Sequence, residues 1–78
     1  MKKISFNVGT LLCDECALAL RRFIGHMEGV ESIALENGTI VIIFDATKIA
    51  EEELTRITRD SIERLGYKIL SKGGGLSA

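Results

Sequence analysis

Proline is missing from all 78 residues, and so is tryptophan. A thioredoxin-like dithiol enzyme keeps a cis-proline beside its CxxC pair and needs a longer chain, so that class is excluded. Aromatic residues are sparse, three Phe and one Tyr. That leaves little to stack bases on and argues against a sheet-face RNA reader. No charge sign dominates: ten basic residues stand against eleven acidic ones, for a net charge of −1. This balance argues against nucleic-acid or membrane-surface binding driven by bulk charge. No apolar run approaches the roughly 20 residues that cross a bilayer, and no basic, apolar, small-residue leader is visible. Direct membrane insertion is not expected; a soluble, cytoplasmic protein is. Histidine occurs once, no nucleophile–base pair stands out, and nothing helical follows the Gly73-Gly74-Gly75 run that could make it a phosphate cradle. The expectation is a protein that is not an enzyme.

What is present is enough for one small domain, with a 46% hydrophobic share that can fill one core. "KISFNV" alternates, with Ile4, Phe6 and Val8 on one face and Ser5 and Asn7 on the other, as in a half-buried strand. Ala17, Leu20, Ile24 and Met27 trace one side of a helix, with Arg21 and Arg22 on its polar side. Val30, Ile33 and Leu35 mark a second strand, with an irregularity after Val30. Asn37-Gly38 between apolar runs signals a hairpin, because its turn needs two positive φ angles. Ile40, Ile42 and Phe44 alternate with Val41 and Ile43, so the third strand is apolar on both faces and expected to be central. A second helix is read from Thr47 as N-cap to Gly66 as C′ residue, with Leu54, Ile57, Ser61, Ile62 and Leu65 inward. "YKIL", residues 67 to 70, reads as a last short strand.

The order β-α-β-β-α-β predicts an α+β, ferredoxin-like sandwich: a four-stranded antiparallel sheet with two helices on one face. The domain is read as residues 1–71, and 72–78 as a flexible Gly-rich tail or the start of a linker. Val41 and Ile43 on the open sheet face could also form a contact surface.

Two cysteines remain, Cys13 and Cys16, in "CDEC". A disulfide between them would close a very small loop and add little stability. In a reducing compartment a close pair is better suited to metal binding or catalysis. The layout puts Cys13 in the first strand-to-helix loop and Cys16 at the helix start, where both sulfurs can converge on one ion. The helix N-terminus favours the thiolates, whereas Asp14 and Glu15 oppose them. A bound cation removes that conflict, since it supplies the positive charge itself. The acids also suit a helix start with no ligand role. His26, ten residues beyond Cys16, would lie about 15 Å along the helix and is not expected to join the site.

The chain resembles the heavy-metal-associated domain, the module of copper chaperones and of the N-terminal regions of metal-transporting P-type ATPases. The resemblance spans roughly residues 3 to 71. It rests on Cys13 and Cys16 followed by Leu20, Ile24, Met27 and Gly29-Val30, on Phe44-Asp45 at the end of the third strand, and on Ile62, Leu65 and Gly66-Tyr67 at the end of the second helix. It implies that Cys13 and Cys16 are metal ligands, that Tyr67 is a neighbour of the metal loop, and that the protein carries a soft metal ion and passes it by thiolate exchange to a partner's cysteine pair, as on a P-type ATPase. Half-buried strand packing is an equally good account of Tyr67.

Five departures stand out. Leu11 replaces the family's usual Met, a core plug of similar volume. Leu12 replaces a Thr or Asp, and the loop glycine sits one place early as Gly9. Asp14-Glu15 lies between the cysteines. The stretch from Asp45 to Gly66 is about four residues longer than typical, which predicts about one extra turn at the start of the second helix. Soft thiolates select Cu(I), Zn(II) and heavier relatives. Cu(I) accepts two thiolates alone and is favoured. Zn(II), Cd(II) or Hg(II) binding with an oxygen from Asp14 or Glu15 is the alternative. A metal-bridged or sheet-face homodimer stays open, as does an interaction domain with incidental cysteines.

Overall fold

The computed structural model describes residues 1–73. Six elements follow in order: β1 (Lys2–Asn7), α1 (Asp14–Ile24), β2 (Val30–Glu36), β3 (Thr39–Phe44), α2 (Glu51–Arg64) and β4 (Ser71–Gly73). They form one antiparallel sheet in the order β2-β3-β1-β4 with two helices, the ferredoxin-like arrangement the sequence predicts. β3 is central, as its two apolar faces require.

Register explains the core. Ile4 pairs with Ile42 and Phe6 with Ile40, so the apolar residues of both central strands share a face. Leu20 and Ile24 from α1, and Leu54 and Ile62 from α2, close over them, all essentially buried. The opposite face carries Val41 between Ser5 and Ala34, and Ile43 between Lys3 and Ser32. A bulge between Val30 and Ser32 accounts for the irregularity in the β2 pattern. Asn37 (φ 48°) and Gly38 (φ 80°) make the β2–β3 turn with the positive φ pair that the sequence signals.

Three local readings are corrected. α2 does not begin at Thr47. Asp45 captures that residue, its Oδ1 accepting from Thr47 N–H at 2.9 Å and Thr47 O–H at 2.7 Å. The Asp45 carbonyl also accepts from Lys48 and Ile49 N–H, and Ile49 is buried under the turn. The extra residues after β3 therefore form a turn, and α2 starts at Glu51 with no side-chain cap. Side-chain competition for backbone donors is what moved the boundary.

The inward face of α2 is Leu54, Thr55, Thr58 and Ile62, while Ile57, Ser61 and Leu65 are only half-buried. Leu54, Thr55, Thr58 and Ile62 share one side of the helix at its 3.6-residue period. Finally, the last strand is Ser71–Gly73 and not residues 67 to 70. Its register sets Phe6 opposite Lys72, and Leu70 N–H reaches the Asn7 carbonyl at 2.7 Å just before it. Lys72 and Gly73 thus belong to the sheet. The rest of the expected tail, residues 74–78, lies outside the described residues.

Candidate metal centre

The site is built where the β1–α1 loop, the β2–β3 hairpin and the C-terminal end of α2 meet. Each contributes one constraint on the loop. The hairpin contributes Gly38, whose carbonyl accepts from Val8 N–H at 2.8 Å. A Cβ on Gly38 would stand 2.8 Å from the Thr10 carbonyl oxygen, so the loop backbone rests directly on the turn. Asn7 Oδ1 accepts from Gly9 N–H at 2.9 Å and shapes the exit from β1.

α2 contributes Tyr67. Gly66 (φ 94°) ends the helix with paired bonds, Gly66 N–H to the Glu63 carbonyl and Tyr67 N–H to the Ile62 carbonyl. This is a Schellman ending, which only a residue free of Cβ strain adopts cheaply. It reverses the chain and brings the Tyr67 phenol to the loop, where its oxygen accepts from Cys13 N–H at 3.2 Å.

Cys13 itself caps α1. Its backbone is extended (φ −63°, ψ 159°), its carbonyl accepts from Ala17 N–H, and its Sγ accepts from Cys16 N–H at 3.1 Å. A sulfur in this position takes the place of the usual capping oxygen and sits at the positive end of the helix.

The two sulfurs are joined in a disulfide, with Cα atoms 5.1 Å apart. The sequence reading expects a reduced pair, and the structure holds the same pair in its oxidised form. The spacing that lets two sulfurs reach one ion also lies within the ordinary range for bonding to each other.

The other predicted residues separate. Asp14 and Glu15 occupy the exposed first turn of α1. Among the described residues, no group of three or more His, Cys, Asp or Glu side chains comes together. His26 is exposed beyond the far end of α1. Leu11 is 69% exposed and does not plug the core; the adjacent Leu12 packs against it instead. Thr10, pressed on the hairpin, was missed, because a backbone contact across sequence leaves no signal in residue type.

A CxxC pair capping the first helix of a βαββαβ domain, with a tyrosine from the second helix's end bonded to the loop, defines a small thiol-bearing ferredoxin-like module. No family model matches the chain. Copper chaperone CopZ of Bacillus subtilis is 28% identical over 71 residues, which covers 88% of this chain and 97% of that protein. The COP-associated protein of Helicobacter pylori is 33% identical over 46 residues, covering 56% of this chain and 70% of that protein. The fold matches a copper binding domain from HMA7, a P-type ATPase, with a TM-score of 0.66 at 22% identity over 92% of this chain and 97% of that one. It also matches a copper form of CopA from Bacillus subtilis, with a TM-score of 0.58 at 24% identity over 87% of both chains. The chain belongs to the heavy-metal-associated domain family.

Proposed function

We propose that the reduced Cys13–Cys16 pair carries one Cu(I) ion as cargo and hands it to the cysteine pair of a partner, such as a P-type ATPase domain in the cytoplasm. One observation carries this reading. Both sulfurs meet at the N-cap of α1, where Cys16 N–H already points at Cys13 Sγ, and no third ligand converges on them among the described residues. Two thiolates suit Cu(I), while Zn(II) asks for more donors than this. The names of the relatives, a copper chaperone and a copper binding domain, support the same ion.

Loading starts from the dithiol. A cellular dithiol reductant supplies two electrons and two protons to open the disulfide. Each thiol then loses its proton as its sulfur binds the ion. In transfer, a thiolate of the partner bonds to the ion as one bond to this chain breaks. The second pair exchanges in the same way, and two protons return to Cys13 and Cys16. The N-cap position stabilises negative charge on the sulfurs throughout, and Tyr67 holds the Cys13 backbone in place. The functional unit is the domain itself, whether it stands alone or sits within a longer protein.

Competitive titration of the reduced chain with Cu(I) and Zn(II) against chelators tests the proposal. One Cu(I) per chain, bound far more tightly than Zn(II) and lost on Cys13→Ser with Cys16→Ser, is expected. Binding that survives that double substitution would sink it. If Asp14→Ala with Glu15→Ala weakens Zn(II) binding tenfold or more, the carboxylate-assisted alternative takes its place.

A further inference from the structure

The outer face of α1 is left uncovered among the described residues. Leu20 and Ile24 point to the core. The residues directly opposite, at helical spacing, are Glu15, Leu18, Ala19 and Arg22, all exposed. Leu18 retains 47% exposure in the middle of this stripe, beside the small Ala19. Glu15 stands at one end and Arg22 at the other, and neither has an ion-pair partner among the described residues, where the one salt bridge joins Lys72 to Glu51.

This pattern is self-complementary. Two copies of α1 laid antiparallel about a dyad between Leu18 and Ala19 match residue 15 with residue 22 of the other copy, and 18 with 19. Glu15 and Arg22 each lie about 5 Å along the axis from that dyad, on opposite sides of it, at 1.5 Å per residue. They meet their opposites across the roughly 8–10 Å that separates packed helices. Leu18 of each copy then lies beside Ala19 of the other, where a small side chain admits close approach. A parallel arrangement would instead oppose Glu15 to Glu15 and Arg22 to Arg22. An interface of this kind uses the same patch on both subunits, as two-fold symmetry requires.

We propose that the chain self-associates through this face of α1 into a two-fold, metal-independent dimer, held by two reciprocal Glu15–Arg22 pairs around a Leu18–Ala19 centre. The cysteine pairs are left free. Cys13 lies about 8 Å from the dyad along each helix, so the two sites sit at opposite ends of the contact, roughly 16 Å apart or more. An 11-residue helix pairing with its copy buries a small area, at the low end for specific contacts. The dimer is therefore weak, rapidly exchanging and weakened by salt.

The test is sedimentation of the reduced, metal-free chain with a chelator present, up to on the order of 1 mM, a range suited to a small interface. Glu15→Arg or Arg22→Glu alone turns two attractions into two repulsions and raises the dissociation constant about tenfold or more. The double exchange, Glu15→Arg with Arg22→Glu, restores it to within about threefold, although it sets both charges against the dipole of their own helix. Circular dichroism confirms that each variant keeps its helices. Cys13→Ser with Cys16→Ser leaves dimerisation unchanged, which keeps the result separate from metal carriage. A wild-type monomer across the whole range, single reversals without effect, or a double exchange that fails to restore association each overturns the proposal.

Discussion

Tyr67 is the residue on which the loop geometry depends from outside the loop. Its hydroxyl oxygen accepts from Cys13 N–H, and the phenol is half-buried beside the core. Tyr67→Phe removes one neutral hydrogen bond at a partly solvated site. The expected loss is about 0.5–1 kcal/mol of stability by urea unfolding. If the pair carries Cu(I) as proposed, its affinity in chelator competition drops a few-fold, because the Cys13 backbone loosens. Unchanged stability and affinity would assign the tyrosine to core packing alone.

Asp45 gives a residue-level pH dependence. The Thr47 side-chain hydroxyl, then the Thr47 backbone N–H, then the Lys48 charge hold its carboxyl below its ordinary value of 3.8. A depressed folded value means that the stabilisation is fully present above 3.8 and fades as pH falls through the lower folded value. Thr47→Ala should therefore flatten the acid limb of the stability curve below that pH and leave its slope near neutrality unchanged. Urea midpoints measured across the acid range check this.

At the scale of the element, α2 carries an unusual interior. Thr58 is fully buried and Thr55 nearly so, and neither hydroxyl has a hydrogen-bond partner among the described residues. A buried hydroxyl without a partner costs roughly 1–3 kcal/mol. Thr58→Val keeps the shape and removes that cost, so a gain of about 1 kcal/mol is expected. A loss in urea unfolding would show that the hydroxyl is satisfied in solution. The end of the same helix behaves oppositely. Gly66→Ala forces a Cβ into a left-handed backbone (φ 94°) with open space around it. It should cost about 1–2 kcal/mol from conformation alone.

The whole molecule couples the hairpin to the loop that carries Cys13. Gly38→Ala combines a positive φ with a Cβ only 2.8 Å from the Thr10 backbone oxygen. Backbone cannot yield as a flexible side chain does, so the penalty should exceed that of Gly66→Ala. Hydrogen exchange should quicken at Val8, whose N–H bonds to Gly38, and through the loop to Cys13. If Gly38→Ala slows metal loading while Gly29→Ala, equally left-handed (φ 95°) but beyond the far end of α1, does so less, the turn is a support of the site and not only a link between strands. Ion binding should in turn stabilise the whole domain, by about 2.7 kcal/mol at a free concentration one hundred times the dissociation constant. The variant lacking both cysteines should show no such gain in a thermal melt.

Much of this architecture is written in local pattern. Period-two alternation in β1 and β3, the helical spacing of Leu20 and Ile24, and the Asn37-Gly38 turn act between near neighbours, so residue type alone determined them. So did the placement of Cys13 and Cys16 at the start of α1, since a CxxC after a strand and before an apolar helical stripe has few other positions. Tertiary structure decided what depends on competition between distant groups. The start of α2 moved because Asp45 took Thr47, and the last strand moved to Ser71–Gly73 because the register of β1 selected it. Leu12 turned inward in place of Leu11, and the phenol of Tyr67 came to rest on Cys13. Those outcomes follow from which backbone groups find partners across the fold, and a linear pattern of residue types does not encode that choice.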